Sequence, residues 1–466
     1  MDGVDPSSVR AEGARVHFTA ALGAGADGGA AEAPAEVLLV RVDPAFAKAV
    51  CDLRSGAARL RHAGPELQAD REAVLAALDF DGSSLEHAAE ALRADPRVVL
   101  AAVRRNGLAL RHAAGAARDD REAVLMALRR AEVALQFAGE GFRSDRACML
   151  AAVRIRGAAL QWAAEELRGD REVVMAAVQS DGLALGHAAE ALQGDRDIVH
   201  AAVSSNGAAL HHAAEELRAD RELVRAAVQR SSGAALAYAA EALRADRELA
   251  LAAVGLDGAA LQHVAPKLQR DREIVLTAVE DNGTALSYAA DALRNDRKVV
   301  LAAVRESAQA LEFSGEALRG DRDIVLEAVR VRGSLLAHAT GKVRGDRAVV
   351  LAAVMQDGSA LRHAAEGPRG DPEVVLAAVR SDPKALEHAT RAARADRCVV
   401  LAAVRQHGWA LKHAAEELRR DREVVLTAVR DRGKGALTYA ARELQQDAEV
   451  LAAVALAEQA LTRKSK

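Results

Sequence analysis

Most of the histidines in this chain stand in one column that recurs about every 25 residues. Imidazole is a common metal ligand, so a row of histidines could in principle bind zinc or copper. Aromatic residues replace histidine in several units, however, and neither phenylalanine nor tryptophan can bind a metal. Equivalent residues in stacked helices also lie about 9 Å apart, whereas zinc–nitrogen bonds are about 2 Å long. The column comprises His62, His87, His112, Phe137, Trp162, His187, His212, Tyr238, His263, Tyr288, Phe313, His338, His363, His388, His413 and Tyr439.

We interpret this ring column as side chains that pack between neighbouring repeats, with their polar edges hydrogen-bonded. The interpretation predicts no metal site and no cofactor. One departure from the pattern leaves a second interpretation open, because His200 replaces a leucine and His211 precedes His212. These three histidines could form a small polar site, or they could simply occupy half-exposed positions.

The sequence lacks the motifs that mark common catalytic sites. There is no GxSxG, no HExxH and no phosphate-binding P-loop. Gly23, Gly25 and Gly28 have the spacing of a dinucleotide-binding loop, but Pro34 and a second strand follow too soon for the required helix. The three cysteines are far apart and indicate neither a disulfide framework nor a metal knuckle. We therefore predict that the protein is not an enzyme.

Arginines form two further columns around a recurring aspartate. One column stands two residues before the aspartate, as at Arg168, and the other directly follows it, as at Arg171. We interpret both as a ladder of Asp–Arg pairs that link helix ends, and the alternative is a surface for acidic partners.

A separate arginine cluster stands at successive turns between helices and is the candidate partner-binding site. It comprises Arg104, Arg105, Arg129, Arg130, Arg154 and Arg156. Stacked arginines could bind nucleic acid or a phosphorylated protein. Few aromatic residues stand nearby for base stacking, however, and no base-by-base code is visible.

Repeats of 25 residues must position all of these side chains. If the aspartate is counted as position 1, it is a natural helix N-cap, and Pro96 and Pro372 stand at position 2, where proline is favoured. Glycine at position 13, as at Gly182, predicts a turn with positive φ. The aspartates are Asp70, Asp95, Asp120, Asp145, Asp170, Asp195, Asp220, Asp246, Asp271, Asp296, Asp321, Asp346, Asp371, Asp396, Asp421 and Asp447.

A fixed period of this length indicates a solenoid, in which each unit buries its apolar face against its neighbours. We predict an all-α, right-handed α-solenoid of about fifteen two-helix repeats, with a leucine at position 16 of each unit in the core. Residues 1–42 are expected to form a short β-hairpin-like segment with a flexible Gly/Ala loop. Residues 43–69 would be a degenerate capping repeat, 70–446 the array, and 447–466 a C-terminal capping helix with a basic tail.

Net charge and the absence of certain sequence patterns indicate which partners and which cellular location to expect. The net charge of −4 over 466 residues argues against a general binder of nucleic acid or anionic membranes. The N-terminus has no secretory pattern, and no run of 18 apolar residues occurs. We expect a soluble cytoplasmic protein that does not bind membranes.

The repeats resemble an uncharacterised family catalogued only as a domain of unknown function. Its pattern is roughly L-x-x-A-x-x-x-L-R-x-D-x-E-x-V-L-x-A-V, and residues 411–429 (LKHAAEELRRDREVVLTAV) are close to it. The resemblance covers about residues 70–455 and implies no activity, cofactor or catalytic residue. A looser similarity to leucine-rich-variant repeats implies a second helix that is partly 3₁₀, but the good helix formers in this sequence favour α.

Long repeat surfaces bind extended partners. By analogy with such folds, we predict a non-enzymatic scaffold for protein–protein interaction, whose partner is another protein or an extended peptide. The alternative is binding of nucleic acid or a phosphorylated partner through the turn arginines, and nucleic acid is less favoured than a protein or peptide partner.

Overall fold

The structure is a computed structural model that describes residues 44–464. Every regular element in this range is helical and follows the repeat, so the prediction of an all-α solenoid is confirmed. The predicted β-hairpin falls in residues 1–42, outside the described range. Contacts divide the chain into two compact units, Met1–Cys148 and Met149–Lys466.

Each repeat begins with an α-helix of about ten residues, here termed the A helix. Its aspartate caps the N-terminus as predicted: Asp170 Oδ1 accepts hydrogen bonds from the backbone N–H groups of Glu172 and Val173, both at 3.0 Å. The A helices are Arg71–Phe80, Pro96–Arg105, Arg121–Arg130, Arg146–Ile155, Arg171–Ser180, Arg196–Ser205, Arg221–Arg230, Arg247–Val254, Arg272–Asp281, Arg297–Glu306, Arg322–Val331, Arg347–Gln356, Pro372–Ser381, Arg397–Gln406 and Arg422–Arg432. Helices Pro44–Ser55 and Ala448–Lys464 lie at the two ends of the described range.

The second helical segment, termed the B helix, is a 3₁₀ helix in nearly every repeat, so the prediction of a second α-helix was wrong. The segments are Leu60–His62, Gly82–His87, Gly107–His112, Glu132–Phe137, Gly157–Trp162, Gly182–His187, Gly207–His212, Ala234–Tyr238, Gly258–His263, Gly283–Tyr288, Ala308–Phe313, Gly333–His338, Gly358–His363, Pro383–His388 and Gly408–His413. The last segment of the row, Lys434–Leu437, is an α-helix.

An inter-repeat hydrogen bond explains the difference. Ala188 is extended at φ −72° and ψ 155°, and the next N–H, that of Ala189, donates to the carbonyl oxygen of Arg168 in the preceding repeat at 2.9 Å. The same bond recurs along the second unit, for example from Ala290 to Gln269 at 3.0 Å. Because this tertiary bond fixes an extended residue after the B helix, it overrides local helix propensity.

A third, shorter segment, termed the C helix, follows the extended residue and leads to the next aspartate. The α-helical C segments are Pro65–Ala69, Glu90–Arg93, Glu140–Ser144, Glu165–Arg168, Glu190–Gln193, Glu215–Arg218, Glu241–Arg244, Asp291–Arg294, Glu366–Gly370, Arg391–Arg394, Glu416–Arg419 and Arg442–Gln445. The 3₁₀ segments are Gly115–Arg118, Leu268–Arg270, Leu318–Gly320 and Gly341–Gly345.

The glycines at position 13 allow close approach of two repeats, and the prediction that they need positive φ was wrong. Among the described glycines, only Gly56, Gly115, Gly233, Gly341 and Gly433 have positive φ, and of these only Gly433, in a repeat with an inserted residue, stands at position 13. A Cβ on Gly182 would instead lie 2.3 Å from the carbonyl oxygen of Ala202 in the next A helix. Glycine is therefore needed there because backbone packs directly on backbone.

The core is aliphatic. The leucine column is buried throughout, from Leu85 to Leu437, and the A helices contribute valine and alanine, such as Val174 and Ala177 with no exposed surface. Phe142 is the only aromatic residue among the buried apolar side chains of the described range. The other aromatic rings of this range therefore lie where part of each ring meets solvent.

Candidate functional site

The ring column lies on the row of B helices, and rings such as His212 and Tyr238 contact position 17 of the preceding repeat. The ring of His212 lies over Gly186, where a Cβ would come within 2.8 Å of the imidazole. Tyr238 stacks near His211 with ring centroids 4.7 Å apart. Most rings of the column are half-buried, whereas His62, His187 and Tyr288 are exposed. The rings therefore pack between repeats and leave one edge open.

Burial lowers the pKa of five imidazoles of the column, His112, His212, His263, His363 and His413. Burial lowers the pKa of His112, and the adjacent Arg111 lowers it further. Arg111 Nε also donates to His112 Nε2 at 2.7 Å, which requires an unprotonated acceptor. Arg362 donates to His363 in the same way, at 2.8 Å. These contacts are typical of structural histidines.

The candidate histidine cluster is only partly assembled. His211 and His212 are in contact, with ring centroids 5.0 Å apart. His200 is exposed on its A helix and makes no hydrogen bond, ion pair or ring contact within the described residues. Across residues 44–464, no group of three histidine, cysteine, aspartate or glutamate side chains could hold a metal ion.

The arginine that follows each aspartate forms the predicted ladder. Arg171 Nε lies 3.1 Å from Asp195 Oδ2 in the next repeat, and Arg297 Nε lies 2.9 Å from Asp321 Oδ2. Several arginines also reach the acid at position 3, as Arg297 does to Asp323 at 2.8 Å. The ladder neutralises its own charges, so this edge offers little net attraction for an acidic partner.

The arginine two residues before the aspartate does not join this ladder, and the prediction for that column was wrong. Arg344 Nε instead donates to the carbonyl oxygen of Ala339 at 2.7 Å, at the end of its own B helix. Gln193 occupies the same position and donates to Ala188 at 3.0 Å. Arg344 and Gln193 thus bind carbonyl groups that the short 3₁₀ helix leaves free, whereas Arg168 and seven other arginines of this column have a buried Nε without a hydrogen-bond partner among the described residues. The C helix holds them beside the B helix, out of reach of the aspartate.

The six candidate arginines lie at the edge formed by the turns between A and B helices, here termed the turn edge. In the first unit, Arg104 pairs with Glu122 at 3.3 Å and Arg105 approaches Asp79 at 3.8 Å. The exposed Arg129 and Arg130 make no ion pair within the described residues. In the second unit, Arg154 and Arg156 are exposed.

Exposed apolar side chains occupy the same edge, and sequence reasoning missed them. Eight of the eleven large hydrophobic residues that the described range exposes stand at positions 10, 11 or 14 of their repeats. They are Phe80, Leu108 and Val133 in the first unit, and Leu183, Leu256, Val331, Met355 and Trp409 in the second. A comparison of position 14 between repeats would have indicated four of them, since small or polar residues such as Ala208 and Ser359 stand there elsewhere.

Within residues 44–464, no helix is both long and apolar enough to cross a bilayer. The turn edge therefore combines scattered apolar side chains with arginines, some of them unpaired. In each unit, exposed apolar residues thus recur at the turn edge.

Comparisons with known proteins identify the repeat. A family model described as Domain of unknown function (DUF4116) matches residues 60–114, 120–168, 148–193, 195–244, 220–269, 246–294, 271–319, 321–367 and 396–445, well over half of the chain. The crystal structure of an engineered protein from the Northeast Structural Genomics Consortium is 15% identical, over 88% of this chain and 98% of that chain. Its TM-score of 0.13 carries no argument. No curated protein matches the sequence.

Proposed function

This chain belongs to the DUF4116 family, and we propose that it is a non-enzymatic repeat scaffold whose turn edge binds an extended segment of another protein. The observation that carries the proposal is the concentration of exposed apolar side chains on that edge. Water-exposed Val331 and Met355, which are 72% and 66% exposed, gain from burial against a partner. Extended segments are the partners that repeat surfaces usually bind.

The aspartate edge is less suited to bind a charged partner than the turn edge. The aspartate edge is neutralised by its own arginine ladder, as in the pair Arg272–Asp296 at 2.9 Å. A cytoplasmic location is part of the proposal, because Cys51, Cys148 and Cys398 are all free thiols. Free thiols are usual in a reducing compartment.

Site-specific photo-crosslinking tests the proposal. A photoreactive amino acid would replace Val331 or Met355 on the turn edge, with Glu216 or Glu417 on the exposed C helices as matched control positions. In the native cells, we expect protein adducts at the turn-edge positions that survive nuclease treatment and are absent from the controls. Equal adducts at both sets of positions, or none at Val331 and Met355, would refute the proposal.

A second candidate function rests on the exposed and unpaired Arg129 and Arg130. Binding of nucleic acid or a phosphorylated partner would require these charges. The affinity for such a polyanion should then fall steeply with salt, and charge reversal at Arg105 and Arg130 should lower this affinity further. Binding that does not change with salt, or no binding to a polyanion at low salt, excludes this alternative.

A further inference from the structure

Helix Ala448–Lys464 begins as an A helix does and packs against the preceding A helix, Arg422–Arg432. Asp447 Oδ1 accepts the backbone N–H groups of Glu449 at 3.0 Å and Val450 at 3.2 Å, so Asp447 is position 1 of this segment. The helix therefore keeps the register of the repeats, and its positions can be compared with theirs. The side chains that it buries are Val450, Val454 and Ala457.

Position 5 is buried in every described A helix that another A helix follows. In the fifteen A helices from Arg71–Phe80 to Arg422–Arg432, the side chain at this position has no exposed surface. In helix Ala448–Lys464 the residue is Leu451, which is 45% exposed. The face on which a B helix and a further A helix would pack is therefore open. The buried residues at position 5 are Val74, Val99, Val124, Met149, Val174, Val199, Val224, Ala250, Val275, Val300, Val325, Val350, Val375, Val400 and Val425.

The open face of helix Ala448–Lys464 is apolar. Its exposed residues include Leu451, Ala452, Ala455 and Leu456, and Leu456 is 68% exposed. Because successive residues of an α-helix are about 100° apart, these four side chains share one arc of about 140°. The outermost repeats of solenoids need a polar outer face to stay soluble. Here two leucines instead meet water that burial against a further helix would remove.

The residues of this face are arranged symmetrically along the helix. The midpoint between Leu451 and Leu456 is also the midpoint between Ala452 and Ala455. When a second copy of the helix lies antiparallel to the first, with a two-fold axis at that midpoint, each leucine lies opposite an alanine of the other copy. A two-fold interface requires such reciprocity between facing residues, and large side chains opposite small ones fill the space between two helices. The face is therefore complementary to itself.

Helix Pro44–Ser55, at the other end of the described range, matches this face less well. Among its described residues it exposes Lys48 and Arg54 but no large hydrophobic side chain. Stacking of that helix on helix Ala448–Lys464 of another copy would also be heterologous, and repeated contacts of that kind extend into filaments or rings. A two-fold pair closes at two copies. The self-complementary face thus favours a pair of identical helices.

We propose that two copies of the chain form a two-fold dimer through helix Ala448–Lys464, with the two helices antiparallel. Leu451 packs over Ala455 of the second copy, and Leu456 packs over Ala452 of the second copy. Burial of these leucines drives the association, and opposed helix dipoles favour the antiparallel direction. The dimer does not depend on the scaffold function. It would present two turn edges at once, so that a partner with two binding segments gains avidity.

Analytical ultracentrifugation of the full chain tests the proposal. We expect a dimer at micromolar concentration, and Leu451→Glu with Leu456→Glu should raise the Kd of the dimer about a hundredfold or more. Ala91→Glu with Ala242→Glu is the matched control, because it adds the same two charges at exposed sites of C helices. This control should leave the Kd unchanged. Circular dichroism should show the same helix content in both double variants.

Disulfide crosslinking tests the antiparallel geometry without a new charge on the face. Ala455 lies close to the two-fold axis, so Ala455→Cys should give a disulfide-linked dimer on mild oxidation, in a chain that also carries Cys51→Ser and Cys398→Ser. Cys148 can remain, because burial raises the pKa of its thiol to about 11 and a protonated thiol reacts slowly. Ala242→Cys in the same background is the control and should stay unlinked.

The outcomes that would overturn the proposal are distinct. A full chain that stays monomeric at its highest soluble concentration has no such interface. A mass that grows beyond two copies with concentration indicates head-to-tail stacking instead. A dimer that survives both glutamate substitutions uses another surface. If the glutamate variant loses helix content, the crosslink decides, and equal linking through Ala455→Cys and Ala242→Cys would show random collision.

Discussion

Arg272 and Asp296 join two successive repeats through one carboxylate that has two roles. Arg272 Nε lies 2.9 Å from Asp296 Oδ2, while Oδ1 accepts the backbone N–H groups of Lys298 at 2.9 Å and Val299 at 3.1 Å. The aspartate side chain is 28% exposed. The residue that begins a helix therefore also fixes that helix to the preceding repeat.

Replacing Asp296 should cost more than replacing Arg272. Asp296→Ala removes a helix cap and should destabilise helix Arg297–Glu306 by about 1–2 kcal/mol. Arg272→Ala removes only an exposed ion pair and should cost about 0.2–1 kcal/mol. Amide hydrogen exchange resolves the local effect, since a long repeat array need not unfold in two states. Lys298→Ala is the control, and equal protection in all three variants would contradict the capping role.

The same pairs predict loss of stability in acid. The Arg272 guanidinium lowers the pKa of Asp296, and Arg247 does the same for Asp271. A lowered folded-state pKa contributes stability that is present above the unfolded value, about 3.9, and is lost as pH falls through the folded value. Thermal melts should therefore show a falling Tm below about pH 4. Arg272→Ala with Arg247→Ala should make that fall shallower, and an unchanged slope would exclude the ladder as its cause.

Close backbone approach makes the position-13 glycines sensitive to substitution. A Cβ on Gly182 would also lie 2.9 Å from the backbone nitrogen of Asn206, besides its contact with Ala202. Gly182→Ala should destabilise the two adjoining repeats by about 1–3 kcal/mol, as overpacking does. Gly169→Ala is the control, because its nearest contact would be an acceptable 3.4 Å. Similar unfolding of both variants in urea would show that the interface can widen at no cost.

Burial of the leucine column predicts a large effect of truncation. Leu261 has no exposed surface, and Leu261→Ala should cost about 2–5 kcal/mol through lost burial and a residual cavity. Hydrogen exchange should rise most in the repeats on either side. Leu256→Ala provides the comparison. Leu256 is exposed and lies five residues before Leu261, so its truncation should change amide hydrogen exchange little.

Structural features that depend on the repeat period and on residue type could be predicted from the sequence. Features that depend on distances between repeats could not. The cap at Asp170 and the buried column at Leu261 follow from local chemistry and from apolar spacing. The 3₁₀ form of helix Gly182–His187 does not, since it depends on the bond from Ala189 to Arg168. The role of Gly182 likewise requires the position of Ala202. The turn-edge cluster around Met355 was missed because its members stand far apart along the chain.

The histidines of the ring column should make stability depend on pH near neutrality. Burial lowers the pKa of His263, and Arg244 lowers it further, against a weaker opposing effect of Asp257. Stability from such a neutral imidazole is present above the unfolded value, about 6.5, and is lost as pH falls through the folded value. His112, His212, His363 and His413 have lowered pKa values of the same origin. The Tm should therefore fall between about pH 7.5 and 5.5.

Substitutions at His263 separate a structural role from metal binding. His263→Phe, which copies Phe313 in its own repeat, should fold and flatten the pH response slightly, whereas His263→Asp should destabilise by half-burying a carboxylate. His200→Ala is the control, because the His200 side chain is exposed and makes no hydrogen bond, ion pair or ring contact within the described residues. Zinc should leave the Tm unchanged. If stoichiometric zinc raised the Tm and His263→Phe abolished that rise, the ring column would be a metal site and the packing interpretation would be wrong.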